Sequence, residues 1–193
     1  LSKFAECLLP FINENFNKSR KQAIDCLNIF PTYFNKYWLK EMARKIGISD
    51  TKKEDQFLIN DLLQILTKEN LDFTLTFRNL PRLNSKNSNI FFSKIKDKKK
   101  FGDWVNRWNK RLESEKRKVS QIKNGLDQIN PVYIPRNHIV QKIIESAEEE
   151  NDFSPMKDLL SIIQKPYISQ NVNVKYESAP EPHEKVSNTF CGT

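Results

Sequence analysis

Glycine is scarce in this chain, and the few glycines present cannot build a phosphate-binding loop. The four, Gly47, Gly102, Gly125 and Gly192, lie far apart, whereas such a loop needs two or three glycines within about six residues. Two other signatures of a kinase-type site are also missing: a catalytic-loop aspartate with its asparagine, and a metal-binding Asp-Phe-Gly triplet. We therefore expect no catalytic and no cofactor-binding residue within these 193 residues.

Cysteine and histidine are nearly as scarce. The three cysteines, Cys7, Cys26 and Cys191, and the two histidines, His138 and His183, show no spacing typical of a metal site, so we predict none. An odd number of widely spaced cysteines favours a reducing compartment over a secreted disulfide framework. Cys7 and Cys26 lie in apolar helical patterns and are predicted to be buried, whereas Cys191, near the last residue, is predicted to be the accessible thiol.

Long apolar runs are absent as well. No run approaches the ~20 residues needed to cross a bilayer, and the first residues lack the layout of a signal peptide, so we predict no membrane partner. Hydrophobic residues make up 38% of the chain and charged residues 29%. This balance predicts a helical domain with a modest core and a long polar face.

Apolar residues recur at helical spacing along most of the chain, and no hairpin pattern occurs, so the predicted fold is all-α. The predicted helices cover residues 4–12, 19–30, 34–46, 57–66, 72–80, 101–112, 139–147 and 156–165, and apolar spacing leaves open a continuation of the sixth helix to residue 129. Pro31 is expected to separate the second helix from the third, and Gly47 to end the third. Asp72 or Thr74 is expected to cap the fifth. Within that continuation, Gly125 is the expected weak point.

Two polar stretches set the predicted boundaries. Residues 82–89 form an Asn, Ser and Lys run without periodicity, which predicts a loop. From Lys165 onward, three prolines, Pro166, Pro180 and Pro182, and few large apolar residues favour an extended segment. We predict a helical domain over residues 1–166 and an extended C-terminal tail over residues 167–193.

The most explicit local signal is the stretch 130–138, which reads Asn-Pro-Val-Tyr-Ile-Pro-Arg-Asn-His. Each of its two prolines forces an extended residue before it, so the backbone leaves one helix, crosses a fixed turn and enters another. Pro135 is expected in the first turn of the next helix. The device recurs at Ser154 and Pro155, where Ser154 is expected to cap and Pro155 to take the first helical position.

Three polar residues in this turn are candidates for function. Arg136 and Asn137 can either satisfy backbone carbonyls of the turn and a neighbouring helix end or contact a ligand, and the sequence does not separate the two. His138 either packs as a neutral imidazole or acts in catalysis, although no nearby acid and nucleophile give it a role.

A cluster of basic residues raises the question of nucleic-acid binding, since the net charge is +8. The cluster comprises Lys94, Lys96, Lys98, Lys99, Lys100, Arg107, Lys110, Arg111, Lys116, Arg117 and Lys118. However, Phe101, Trp104 and Trp108 recur at i, i+3 and i+7, which is the spacing of a core face and not of an exposed stacking platform. We predict a solvated basic face and no nucleic-acid partner; a basic nucleic-acid-binding module and a non-catalytic scaffold domain are the rival interpretations.

Several motifs in this order resemble the end of the selenoprotein O (YdiU) family. They are the 130–138 stretch, Ala-Glu-Glu at 147–149 followed by Asp-Phe-Ser-Pro at 152–155, Lys-Pro-Tyr at 165–167, and Thr-Phe-Cys-Gly-Thr at 189–193. Residues 1–12 and 72–78 also resemble that family. Its members are more than twice as long as this chain, which opens at Leu1, so the resemblance implies a C-terminal fragment.

The resemblance implies the helical part of a protein-kinase-like, pseudokinase fold that transfers AMP from ATP to protein hydroxyls (AMPylation), using Mg or Mn. The catalytic, ATP-binding and metal-binding residues would lie upstream, so the fragment itself would hold no cofactor. Its implied partners are the missing N-terminal kinase-like part and the protein substrates. The implied compartment is the cytoplasm, or the mitochondrion in a eukaryote. Some members carry selenocysteine where Cys191 stands, which implies a redox role for that thiol.

Overall fold

The fold is all-α, as predicted. The computed structural model describes residues 1–83, 88–170 and 174–186, and every regular element within these ranges is helical. None of the described helices combines the length and the apolar character that crossing a membrane requires. The α-helices are α1 (Ser2–Ile12), α2 (Phe16–Lys45), α3 (Asp55–Lys68), α4 (Phe73–Asn79), α5 (Ser88–Ser93), α6 (Lys98–Glu113), α7 (Val119–Ile129), α8 (Asn137–Glu149), α9 (Ser154–Ile163) and α10 (Val174–Glu177), with 3-10 turns at Leu80–Arg82 and Pro182–Glu184.

The main core forms around the aromatic stripe of α6. Phe101, Trp104 and Trp108 are buried, which confirms that they line a core face. The indole Nε1 of Trp104 donates to the Leu58 carbonyl at 2.9 Å, and that of Trp108 donates to the Ile46 carbonyl at 2.7 Å. Because these bonds satisfy the indole N–H groups inside the core, α6 is fixed to α3 and to the end of α2. The absence of nucleic-acid binding stays a prediction, which salt-dependent binding of DNA would test.

The end of α2 is set by Gly47, as the sequence predicts. Gly47 has φ +86°, its N–H donates to the Arg44 carbonyl at 3.0 Å, and the Ile48 N–H donates to the Ala43 carbonyl at 2.9 Å. This pair of bonds is the Schellman arrangement, which favours glycine at its left-handed position. A Cβ atom at residue 47 would also lie 3.1 Å from the Ile122 side chain. The residues on either side of Gly47, Ile46 and Ile48, are both buried in the main core.

The predicted break at Pro31 is wrong, because α2 is one helix of 30 residues with Pro31 inside it. Proline removes one intrahelical hydrogen bond, which is a local cost. Both ends of α2 are anchored, however: Ser19 and Ala23 are buried near its start, and Met42 and Ala43 near its end. The anchored ends hold the helix continuous across the proline.

The helix predicted over 101–112 is confirmed as α6, but the continuation to residue 129 that the sequence left open does not occur, since α6 ends at Glu113 and α7 begins at Val119. The break does not lie at Gly125. In the linker, Lys116 has φ +54°, and the side chain of Glu115 is only 1% exposed. Its carboxylate accepts the Ser49 N–H at 2.9 Å and one Arg111 N–H at 2.9 Å. Burial alone would raise the pKa of Glu115, but these hydrogen bonds lower the pKa to about 2.

Arg111 connects this linker to the start of α3. Its Nε donates to Asp55 at 2.6 Å, and its terminal nitrogens contact Asp55 at 3.1 Å and Glu115 at 2.9 Å. The Asp55 side chain is 3% exposed and also accepts the Lys52 N–H at 2.7 Å. Two acidic side chains thus share one guanidinium in a nearly dry site, which we call the Arg111 cluster (Arg111, Asp55, Glu115).

The second, smaller core lies under α8 and α9. It contains Val132, Tyr133, Leu159, Ile162 and Tyr176, so residues before, within and after this helix pair meet there. Two predicted helix starts differ slightly from the structure. Pro135, predicted in the first turn of α8, precedes that helix, whose N-cap residue is Arg136. Ser154, predicted as the cap of α9, is its first residue, and Asp152 accepts the Ser154 N–H at 2.8 Å.

The two polar stretches are more helical than the sequence suggests. Arg82 closes a 3-10 turn and Ser88 begins α5, while residues 84–87 lie outside the described residues. In the tail, the described part includes α10 and the 3-10 turn at Pro182–Glu184. These short turns place Tyr176 in the smaller core.

The prediction that Cys7 and Cys26 are core residues is wrong, because both are exposed. Cys7 lies on α1, which has no buried residue, and Cys26 lies on the first half of α2. Their apolar neighbours form the expected stripes, but within the described structure those stripes face solvent. Apolar periodicity predicts a face to be covered, and it does not say which segment covers it.

Candidate functional site

Two backbone N–H groups of the 130–138 turn share one carbonyl acceptor, that of Pro166, which lies three residues beyond the end of α9. The backbone N–H groups of Val132 and Tyr133 donate to the Pro166 oxygen at 2.7 and 3.1 Å. A turn between two prolines has few partners within itself, because proline has no N–H and the residue before it is extended. The Lys165-Pro166 motif is therefore the acceptor that closes the turn.

Asn130 joins the start of the turn to the end of α2. It is fully buried, and its Nδ2 donates to the Lys45 carbonyl at 2.9 Å. That carbonyl belongs to the last turn of α2, where helix carbonyls lack intrahelical donors. The Asn130 carbonyl in turn accepts a hydrogen bond from Arg78 at 3.1 Å. The main core and the turn are thus connected by buried polar bonds.

Arg136 forms a buried ion pair with Asp72. Its two terminal nitrogens donate to the Asp72 carboxylate at 2.8 and 3.3 Å, and one also donates to the Glu177 carbonyl at 3.2 Å. Asp72 is at the same time the N-cap of α4, as predicted, since it accepts the Leu75 N–H at 2.8 Å. Burial alone would raise the pKa of Asp72, but the bonds from Arg136 and Leu75 lower this pKa below its usual range.

Tyr133 fixes the segment that follows α9. Its hydroxyl accepts the Gln170 N–H at 2.7 Å and donates to the Glu177 carboxylate at 3.0 Å. Burial raises the pKa of Tyr133, so the phenol stays protonated and remains a donor. Tyr133 and Arg136 together bind both the side chain and the backbone of Glu177.

His138 is buried in the first turn of α8, and burial lowers its pKa, so the imidazole is neutral near pH 7. It lines a cavity of about 360 Å³ together with Lys142, Tyr176 and Glu184. Lys142 and Glu184 form a salt bridge with each other at this cavity. Asn137, in contrast, is exposed. All three predicted site residues line one further cavity of about 390 Å³, but their environments differ: Arg136 is paired, His138 is buried and neutral, and Asn137 faces solvent.

Other sequence predictions about the site have mixed outcomes. In the part of the chain that the structure describes, no three His, Cys, Asp or Glu side chains are grouped so as to hold a metal ion. Cys191 lies outside the described residues, so its redox role stays a prediction. Sequence reasoning missed Glu177, and it recognised Asp72 as a cap without its ion pair to Arg136. No local pattern signals a partner 64 residues away.

Replacing Arg136 with methionine is expected to destabilise the protein by about 2 kcal/mol, the scale for hydrogen bonds to a charged group. The change leaves Asp72 partly buried without its cation, although the carboxylate keeps the Leu75 N–H. Urea denaturation followed by circular dichroism measures the loss. Asn137→Ala, one residue away and exposed, is the matched control and should change stability by less than about 0.5 kcal/mol. Equal effects of the two substitutions would contradict a buried role for Arg136.

Comparison with known proteins places this chain among relatives that are named protein nucleotidyltransferases. The protein nucleotidyltransferase YdiU of Bradyrhizobium diazoefficiens is 34% identical over 194 residues, covering all of this chain and 40% of the relative. Proteins of the same name from Maridesulfovibrio salexigens and Nitrosococcus oceani are 35% and 34% identical over 193 residues, covering all of this chain and 39% and 38% of the relatives. The chain therefore spans about 40% of the length of the curated relatives it matches.

The chain belongs to the SelO family, since the model described as Protein adenylyltransferase SelO matches residues 1–164. This confirms the resemblance seen in the sequence motifs. The matched range contains the whole 130–138 turn and both helices that follow it, up to one residue beyond the end of α9.

Proposed function

We propose that this chain is the C-terminal helical part of a protein adenylyltransferase, which transfers AMP from ATP to hydroxyl groups of proteins. The observation that carries the proposal is the match of the family description over residues 1–164. The proposed partners are the kinase-like part that precedes this chain in the longer protein and the protein substrates. The cytoplasm is the proposed compartment.

The residues that the structure describes do not fit ATP or a divalent metal. The sequence has no glycine-rich loop, and the described residues include no three metal-binding side chains grouped together. Two guanidinium groups at the turn already have acidic partners, because Arg136 pairs with Asp72 and Arg78 of α4 pairs with Asp127. We therefore propose that the nucleotide and Mg or Mn bind to the preceding part, and that no residue of this chain is catalytic.

The proposed role of this chain is structural. Arg136 holds α4 through Asp72 and the tail through Glu177, while Asn130 ties the same turn to α2. Three segments distant in sequence thus converge on one rigid turn. We propose that this turn maintains the shape of the helical part against which the catalytic part is built.

Incubation of the longer gene product with labelled ATP, Mg or Mn and protein acceptors tests the function. We expect label on protein hydroxyls, found by mass spectrometry as bound AMP. The 193-residue chain alone is expected to transfer no AMP and to show no tight ATP binding by calorimetry. Micromolar ATP affinity of this chain would contradict the assignment of nucleotide binding to the preceding part. A longer protein that binds ATP but transfers no AMP under these conditions would contradict the proposed activity.

A further inference from the structure

The middle of α2 is an almost bare helix in this structure. Between Ala23, which is buried near α1, and Met42, which is buried in the main core, no side chain of α2 is buried. We call residues 24–37 the open segment; it is about 21 Å long, and Trp38, which follows it, packs against the main core. Its exposed large apolar side chains are Ile24, Ile29, Phe30, Tyr33, Phe34 and Tyr37.

The open segment is apolar over more than half of its circumference. We place each residue around the helix axis at about 100° per residue, with Ile24 at 0°. The apolar residues, Cys26 and Pro31 included, then fill an arc of about 220°, which runs from Ile29 through Phe30 and Phe34 and ends at Ile24. Its five polar residues occupy the remaining side, between about 20° and 120° on the same scale: Asp25, Asn28, Thr32, Asn35 and Lys36. The two classes do not mix. Phe30 and Phe34 contact each other, with ring centroids 5.7 Å apart.

An arc of this width is not the surface of a helix at the edge of a domain. A helix that packs on one side carries an apolar stripe of about 100°, and monomeric proteins rarely expose apolar patches larger than a few hundred Å². Burying a large apolar side chain stabilises a protein by about 1.5–3 kcal/mol. Six such side chains left in water therefore indicate a surface that is covered in the functional protein.

We propose that the open segment is a core helix of the longer protein, covered by the part of that protein which lies outside this chain. The proposal rests on the proposed function only in taking this chain as part of a longer member of the family. About 60% of each relative lies outside the matched region, because the alignments cover 40% of its length. A covalently linked segment of that size binds at high effective concentration.

The shape of the arc argues against a second copy of this chain as the occupant. Two equivalent helices that pack side by side cover about 100° of each other. An arc of about 220° requires elements on at least two sides, such as several helices or strands that form a concave surface. Only the narrow polar face, with Asn28 and Asn35, is then expected to contact solvent.

Cys26 lies inside the apolar arc and is exposed in this structure. The reactivity of its thiol therefore shows whether the rest of the longer protein covers the arc. The experiment uses the longer protein carrying Asn28→Cys, which puts a second thiol on the polar face within the same proteolytic peptide. Both thiols are exposed to a pulse of alkylating reagent, and the modified position is read by fragmentation mass spectrometry. Cys26 is expected to react at least about tenfold more slowly than the thiol at 28, because the reagent must wait for opening of the core. Both should react alike in denaturant.

Equal labelling rates of the two thiols in the native longer protein would overturn the proposal. A second outcome would assign the face to another copy: slow labelling of Cys26 in the 193-residue chain itself, together with sedimentation as a dimer. The AMP-transfer assay is separate from this readout. A longer protein without transfer activity but with Cys26 protected contradicts the proposed function and supports the core helix.

A charge-matched pair of variants tests the same surface without thiols. Phe30→Asp with Phe34→Asp places two carboxylates inside the apolar arc, whereas Asn28→Asp with Asn35→Asp places two on the polar face. We expect the first pair to abolish accumulation of the longer protein in folded form and the second pair to leave it unchanged. Neither pair should reduce the helix signal of the 193-residue chain, where these side chains are exposed. Equal yields of both longer variants would contradict the covered face.

Discussion

Arg111→Met is expected to destabilise the protein by about 3–5 kcal/mol, the effect of removing one partner of a buried ion pair. The substitution leaves Asp55 without its cation and Glu115 with Arg117 at 3.4 Å, and both carboxylates are nearly inaccessible to water, with side chains 3% and 1% exposed. Methionine fills part of the volume but donates no hydrogen bond. Urea denaturation at pH 7 measures the lost free energy of unfolding, which appears as a lower urea concentration at the unfolding midpoint.

The matched control is Arg107→Met, one helical turn earlier on α6. Arg107 pairs with Asp61, but the two side chains are 52% and 34% exposed, so the expected loss is about 0–1 kcal/mol. Similar effects of the two substitutions would show that the Arg111 cluster is not a buried anchor.

Acid titration gives a second readout on the same cluster. The pKa of Glu115 is about 2 in the folded chain and about 4.3 in an unfolded one. Because the folded pKa is the lower one, Glu115 stabilises the fold above about pH 4.3, and this contribution is lost as the pH falls toward 2. Arg111→Met should shrink this acid-dependent contribution, since one of the hydrogen bonds that lower the pKa is removed.

Trp104→Ala is expected to cost about 3–5 kcal/mol, the range for truncating a buried large aromatic side chain. Trp104 is fully buried, lies between Phe101 and Trp108 with ring centroids 6.0 and 5.5 Å away, and bonds to the Leu58 carbonyl. The truncation removes both ring contacts and opens a cavity where α3 meets α6. Thermal and urea denaturation should both report it.

Trp104→Phe separates the two contributions, because an aromatic ring stays in place while the indole hydrogen bond is lost. It should destabilise clearly less than Trp104→Ala. Phe57→Ala is the control for losing an aromatic ring, since Phe57 is 70% exposed on α3; a change within about 0.5 kcal/mol is expected. A loss below about 1 kcal/mol for Trp104→Ala would contradict its central position in the core.

The elements that the sequence predicts correctly are those whose cause is local. Gly47 ends α2 because a left-handed residue favours glycine wherever it occurs. Asp72 caps α4 through an N–H three residues away, and the aromatic stripe of α6 follows helical spacing. Each of these signals lies within a few residues of the structure it specifies.

The elements that the sequence misses depend on distant partners. Pro31 predicts a break, but the anchors of α2 at both of its ends keep the helix continuous. The break after α6 lies beside Glu115, whose buried carboxylate binds Ser49 and Arg111, and neither partner is visible from the local sequence pattern. Arg136 is visible as a locked cation in a turn, while its partner Asp72 is visible only in the folded chain.

Exposed Cys26 illustrates the remaining limit. The sequence gives the apolar character of its helix face, and the rest of the chain decides whether that face is covered. Apolar residues at helical spacing therefore predict that a helix face is buried, and the prediction is the same whichever segment would cover that face. For the candidate site, the 130–138 motif located the turn correctly, and tertiary contacts determined which of its polar residues are paired.

The closure of the 130–138 turn by the Pro166 carbonyl has a consequence for synthesis of the protein. When Val132 and Tyr133 are added to the growing chain, the oxygen that their N–H groups will bind has not yet been made. At 5–20 residues per second, the roughly 30 intervening residues take about 2–7 s to add. During that interval water must satisfy both donors of the nascent chain, and the turn acquires its native bonds only after α8 and α9 have emerged.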